Sequence, residues 1–123
     1  MKNVLFLLTA VFSILTILHT NVFAESKGDT TAPTGSVTIN NGASSTNSPS
    51  VTLGLSATDD RGVTGYHVSE SSTKPSASAS GWTSITSTTS YSASVSYTLS
   101  SGDGSKTVYV WYKDAAGNVS TAS

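Results

Sequence analysis

The stretch Lys106-Thr-Val-Tyr-Val-Trp-Tyr-Lys-Asp-Ala-Ala-Gly-Asn-Val-Ser120 decides how this chain is read. Val108, Val110 and Tyr112 share one parity, and Tyr109 and Trp111 share the other. A strand sends the two sets to opposite faces, and β-branched and aromatic residues suit a pleated, half-buried surface. Asp114-Ala-Ala-Gly117-Asn118 then ends the strand. An Asp side chain accepts backbone N–H groups a few residues on, and Gly and Asn tolerate positive φ. The stretch predicts a central strand running into a tight turn.

The same alternation recurs upstream. Val51, Leu53, Leu55 and Ala57 alternate with Thr52, Gly54, Ser56 and Thr58. Tyr91, Ala93, Val95, Tyr97 and Leu99 alternate with Ser92, Ser94, Ser96 and Thr98. Further strands are predicted over Gly35–Asn40, Thr64–Glu70 (Tyr66 and Val68 inward, His67 outward) and, short, Trp82–Ile85. Asn40-Asn41-Gly42, Asp59-Asp60-Arg61-Gly62 and the Gly/Asp-rich Ser100–Ser105 segment read as turns, Thr86–Ser90 as a polar connection and Ser71–Gly81 as an exposed loop. No helical periodicity follows residue 24. Strands of this length and spacing predict an all-β, antiparallel β-sandwich of about seven short strands.

The first 24 residues stand apart from that domain. Lys2 precedes the apolar run Val4–Leu18, and Val22-Phe23-Ala24 carries small or branched residues at the −3 and −1 positions of a cleavage site. This is the layout of a signal peptide helix, with cleavage after Ala24. The run falls short of the roughly 20 residues a spanning helix needs. The expected organisation is a signal peptide (1–24), a linker ending at Pro33 (25–33) and one domain (34–123). The expected destination is the cell surface or the medium, with no membrane association after cleavage.

There is no cysteine, which excludes disulfides, thiolate metal sites and a lipoprotein anchor. Without residues 1–24, five basic and seven acidic side chains remain, a formal charge of −2. That balance offers no electrostatic footprint for nucleic acid. Ser and Thr make up roughly two fifths of the same residues, far above ordinary usage. The strand alternation argues against a disordered Ser/Thr-rich stalk.

The lead-in Asp29-Thr-Thr-Ala-Pro-Thr-Gly-Ser-Val37, the strand end Leu55-Ser-Ala-Thr-Asp59 and the block Gly102–Ser120 resemble the bacterial immunoglobulin-like / fibronectin type III-like repeats of secreted and surface proteins. The resemblance covers Asp29–Ser120, and its last block is the most specific. It implies an immunoglobulin-like sandwich that is structural, adhesive or carbohydrate-associated, is not an enzyme, and has envelope or extracellular proteins or glycans as partners. The chain departs from the pattern in being a single copy and in its final strand, which is short or missing. Either a stub of that strand suffices, or the sheet edge is open to strand addition from another chain.

Catalysis has little to work with. His67 is the one histidine after residue 24, mid-strand, with no metal-spaced cluster beside it and no phosphate loop. Calcium is the cofactor worth weighing, and no other is expected. If the strands alternate direction, the turns at Asp59-Asp60 and Asp114–Asn118 meet the start of the first strand. That gathers Asp29, Asp59, Asp60 and Asp114 at one pole, with oxygens of the kind calcium takes. The competing expectation is that each Asp caps its own turn. A second candidate is an aromatic ligand patch of His67, Tyr109 and Trp111 on the outward face of two neighbouring strands, with loop cover as the alternative. Trp82 is expected in the core, and the glycosylation-like Asn118-Val-Ser120 is read as part of its turn.

Overall fold

The computed structural model describes residues 28–123. The expected signal peptide lies outside the described residues, as do the first residues of the linker. The chain divides into two compact units, Met1–Thr30 and Thr31–Ser123, and the second contains every element described below.

Four antiparallel strands build it: β1 (Thr34–Ile39), β2 (Ser50–Ser69), β3 (Thr83–Thr98) and β4 (Tyr109–Asp114). The all-β, antiparallel class follows from the alternation as expected. β2 is the hub, because it pairs with each of the other three strands. Its first half lies between β1 (Thr34↔Thr58 to Ile39↔Leu53) and the second half of β3 (Ser50↔Thr98 to Thr58↔Ser90). Its second half lies between the first half of β3 (Val63↔Thr88 to Tyr66↔Thr83) and β4 (Val63↔Asp114 to Ser69↔Tyr109).

Two expected breaks are absorbed into continuous strands and the expected last strand is no more than a stub, so four strands stand where about seven were expected. Asp59–Gly62 does not end a strand. It forms an irregularity inside β2, where the register shifts between Thr58 and Val63. The Asp59 side chain accepts the N–H groups of Arg61 and Gly62 at 3.1 and 2.8 Å. Gly62 takes φ +128, a value that side-chain-bearing residues avoid. Backbone donors displaced from the ladder are thus satisfied locally, and the chain changes partner without stopping. Thr86–Ser90, read as a connection, likewise lies within β3.

The turn expected at Asn40–Gly42 is present as a short 3₁₀ turn with Asn40 and Asn41 at positive φ. Asn40 also accepts the Thr52 N–H through its side chain at 2.8 Å.

One apolar cluster unites both halves of β2. Val51, Leu53, Leu55 and Ala57 meet Val63, Val108, Val110 and Tyr112, with Val37, Ile39, Tyr66, Val68, Ile85, Tyr91, Val95, Tyr97 and Leu99 packed around them. Val63 apart, which the sequence reading left between a turn and a strand, these residues come from the strands read from the sequence. The segment after β4 supplies a short partner along that strand. Val119 bridges Lys113, Ser120 N–H donates to the Tyr112 carbonyl at 2.8 Å, and Ser123 N–H donates to the Val110 carbonyl at 3.0 Å. Of the two alternatives for this edge, the stub is what is observed.

Candidate functional site

Asp59 and Asp114 end up together because β2 and β4 run antiparallel with Val63 opposite Asp114. That register sets the irregularity of β2 beside the turn that closes β4. Both carboxylates are buried, Asp59 at 7% exposure and Asp114 at 3%. A carboxylate oxygen of one lies within 4.8 Å of an oxygen of the other. At such a separation two full negative charges repel by about 3–4 kcal/mol for an effective dielectric of about 20.

Each Asp does brace its own turn. In Asp114, Oδ1 accepts the Asn118 N–H and Oδ2 accepts the Asn118 side-chain amide, both at 2.9 Å. The Asp114 carbonyl accepts the Gly117 N–H at 3.3 Å, with Gly117 at φ +90. Asn118 is therefore structural, as expected. In Asp59 the two oxygens are unequal. Oδ2 takes both N–H groups of the irregularity, whereas Oδ1 is buried and has no hydrogen-bond partner. Turn capping accounts for Oδ2 and leaves Oδ1 unexplained. A buried carboxylate oxygen without a partner carries a desolvation cost that nothing in its turn offsets.

Of the other expected members, Asp60 is exposed. It lines a shallow surface hollow with Thr31, Ala32, Thr34, Thr58 and Asp59. Asp29 belongs to the first unit, two residues before Thr31 in the chain.

The aromatic candidates sit on the outer parity of β2 and β4, where His67 is directly opposite Trp111. The outward direction is as expected, and of the two alternatives, open patch or cover, the cover is observed: Trp111 is only 1% exposed. Its ring stacks on Tyr109 (5.9 Å) and meets His67 edge-on (6.0 Å). His67 in turn meets Trp82 edge-on at 5.5 Å. Trp82 is therefore not a core residue but part of the cover. The Ser71–Gly81 loop anchors this cover, since the Trp82 indole N–H donates to the Ser76 carbonyl and Lys113 Nζ to the Ala77 carbonyl, both at 2.9 Å. Lys113 Nζ also sits 4.9 Å from the centre of the Trp82 ring, within cation–π range. Period-two reading assigned the face correctly. Cover from the Ser71–Gly81 loop is the alternative expected from the sequence, and it is what the structure shows.

Comparison of the chain with family models, curated proteins and solved structures finds no match.

Proposed function

We propose that Thr31–Ser123 is an immunoglobulin-like β-sandwich module, exported by a bacterium and used as a structural or interaction element of the envelope or secretome. On this reading the two halves of β2 belong to two facing layers, with the change of partner at Asp59–Gly62 as the passage between them. One observation carries the reading: a single apolar core is shared by both halves of β2, while the outward positions of its first half and of β3 are mostly Ser and Thr. Such a body is rigid and wet on the outside, and the buried volume goes to packing. Its partners are envelope or extracellular proteins or glycans. Fractionation of a producing bacterium tests it. The reading expects a chain beginning at Glu25 outside the cytoplasm, and a full-length chain retained inside overturns it.

A carbohydrate-associated role is the second reading, favoured by the row Tyr109–Trp111–His67–Trp82 with half-buried Tyr109 and Trp82 at its ends. Partly open rings stack on sugar faces. Glycan binding that falls in Trp82→Ala and Tyr109→Ala supports it, and binding indifferent to both removes it. Trp111→Ala is a poor probe, because it would hollow out the packing beneath.

A further inference from the structure

We infer that the Asp59–Asp114 pole is a calcium site. The inference goes beyond the module reading and stands whatever partner the module has.

The first argument is the unpartnered Oδ1 of Asp59, more than nine-tenths buried with its residue. Its twin oxygen already accepts two N–H groups, so the side chain is held rigidly with one oxygen presented and unused. A cation satisfies a carboxylate oxygen that no donor reaches. The second argument is the neighbour. Asp114 is buried as well, and its partners in the turn are the neutral amide groups of Asn118. Amides orient a carboxylate without cancelling its charge, so two negative charges face each other within 4.8 Å. Calcium binds oxygens at roughly 2.3–2.6 Å, so two ligands on either side of one ion stand up to about 5 Å apart. The observed separation is therefore one that a shared calcium ion spans.

The donor chemistry narrows the ion. The hollow beside Asp59 is lined by Thr31, Thr34, Thr58 and Asp60, which offer hard oxygen ligands and no imidazole or thiolate. That disfavours zinc and copper. A strand irregularity and a turn are looser than the octahedral geometry that magnesium demands, whereas calcium accepts irregular sets of six to eight oxygens.

The experiment is equilibrium dialysis and thermal melting of the full-length chain with calcium, with magnesium and with chelator. It is repeated for Asp59→Asn, Asp114→Asn, Asp60→Asn and the control Asp103→Asn. Asn keeps an oxygen for the turn N–H groups, and Asp60 is exposed on the hollow, so Asp60→Asn leaves the core alone. The expected result is one calcium per chain, with a Kd of about 10⁻⁴–10⁻³ M as in extracellular modules, and melting about 5 °C or more higher than in chelator. Asp59→Asn and Asp114→Asn should each weaken binding at least tenfold, Asp60→Asn several-fold, and Asp103→Asn not at all. Identical melting with calcium and chelator together with no retained ion overturns the site. So does binding that persists in both Asp59→Asn and Asp114→Asn, and magnesium binding as tightly as calcium overturns the choice of ion. If Asp59→Asn or Asp114→Asn fails to fold, the wild-type stoichiometry and the Asp60→Asn affinity decide.

Discussion

The Tyr112 hydroxyl donates a 2.7 Å hydrogen bond to the carbonyl of Ser36, 76 residues earlier in the chain. The ring that carries it is fully buried. The bond fastens β4 to β1, two strands that do not pair with each other.

Alkaline stability should depend on this tyrosine. Burial pushes its hydroxyl up to about 12, from the ordinary 10. The folded chain therefore holds a proton that the unfolded chain gives up from about pH 10 onward. The stabilisation is complete below pH 10 and is lost as pH rises through 12. It amounts to about 2–3 kcal/mol for a shift of about two units. Tyr91 and Tyr97 are raised in the same direction, chiefly by burial. Urea unfolding from pH 8 to 12 should show the decline, and Tyr112→Phe should flatten it. Equal alkaline slopes in the two proteins would contradict the assignment.

Gly35 is held by a close approach. A Cβ there would land on the Tyr112 ring and 2.8 Å from the Ser56 carbonyl oxygen. Neither obstacle can swing aside, since one is a packed ring and the other is backbone. Gly35→Ala should cost about 1–3 kcal/mol through overpacking. At Gly54 the close atom is the Thr38 hydroxyl, the end of a side chain that can rotate. Gly54→Ala should therefore cost less than about 1 kcal/mol. Denaturant midpoints of the two variants check the ordering, and equal losses would refute it.

Leu53 is wholly buried, at 0% exposure, and belongs to the cluster that joins both halves of β2. Leu53→Ala should lower stability by about 2–5 kcal/mol. Leu99, partly buried at the margin of the same cluster, should cost clearly less on the same change. Chemical denaturation of the two variants measures the difference.

Trp111 should report its cover. In Trp82→Phe it is the only remaining tryptophan, and Phe keeps an aromatic ring against His67. Its emission should stay blue and resist acrylamide quenching. Trp82→Ala should shift that emission to the red and open it to quencher, because the ring that helps seal His67 and Trp111 is gone. Free quenching of Trp111 in Trp82→Phe would show that the face is open.

The inward set of each strand was legible because burial on one face leaves a period of two. Val51, Leu53, Leu55, Val108, Val110 and Tyr112 all lie where alternation puts them. The meaning of Asp59–Gly62 was not legible. An Asp followed by Gly three residues on satisfies backbone donors equally well in a reversal and in an irregularity within a strand. Only the pairing partners on either side tell the two apart. The nearness of Asp59 to Asp114 followed from strand direction alone, and the inequality of the two Asp59 oxygens needed atomic positions. Trp82 illustrates the opposite failure. A large apolar residue reads as core by composition, but a half-buried ring covering another ring has no signature in a single sequence.

The hub position of β2 has a mechanical consequence. Each other strand depends on it, so no hairpin can peel away and leave a self-sufficient remainder. Loss of β2 from its place releases β1, β3 and β4 at once. A pull on the ends of this unit should accordingly meet one abrupt yield rather than a staircase of small ones.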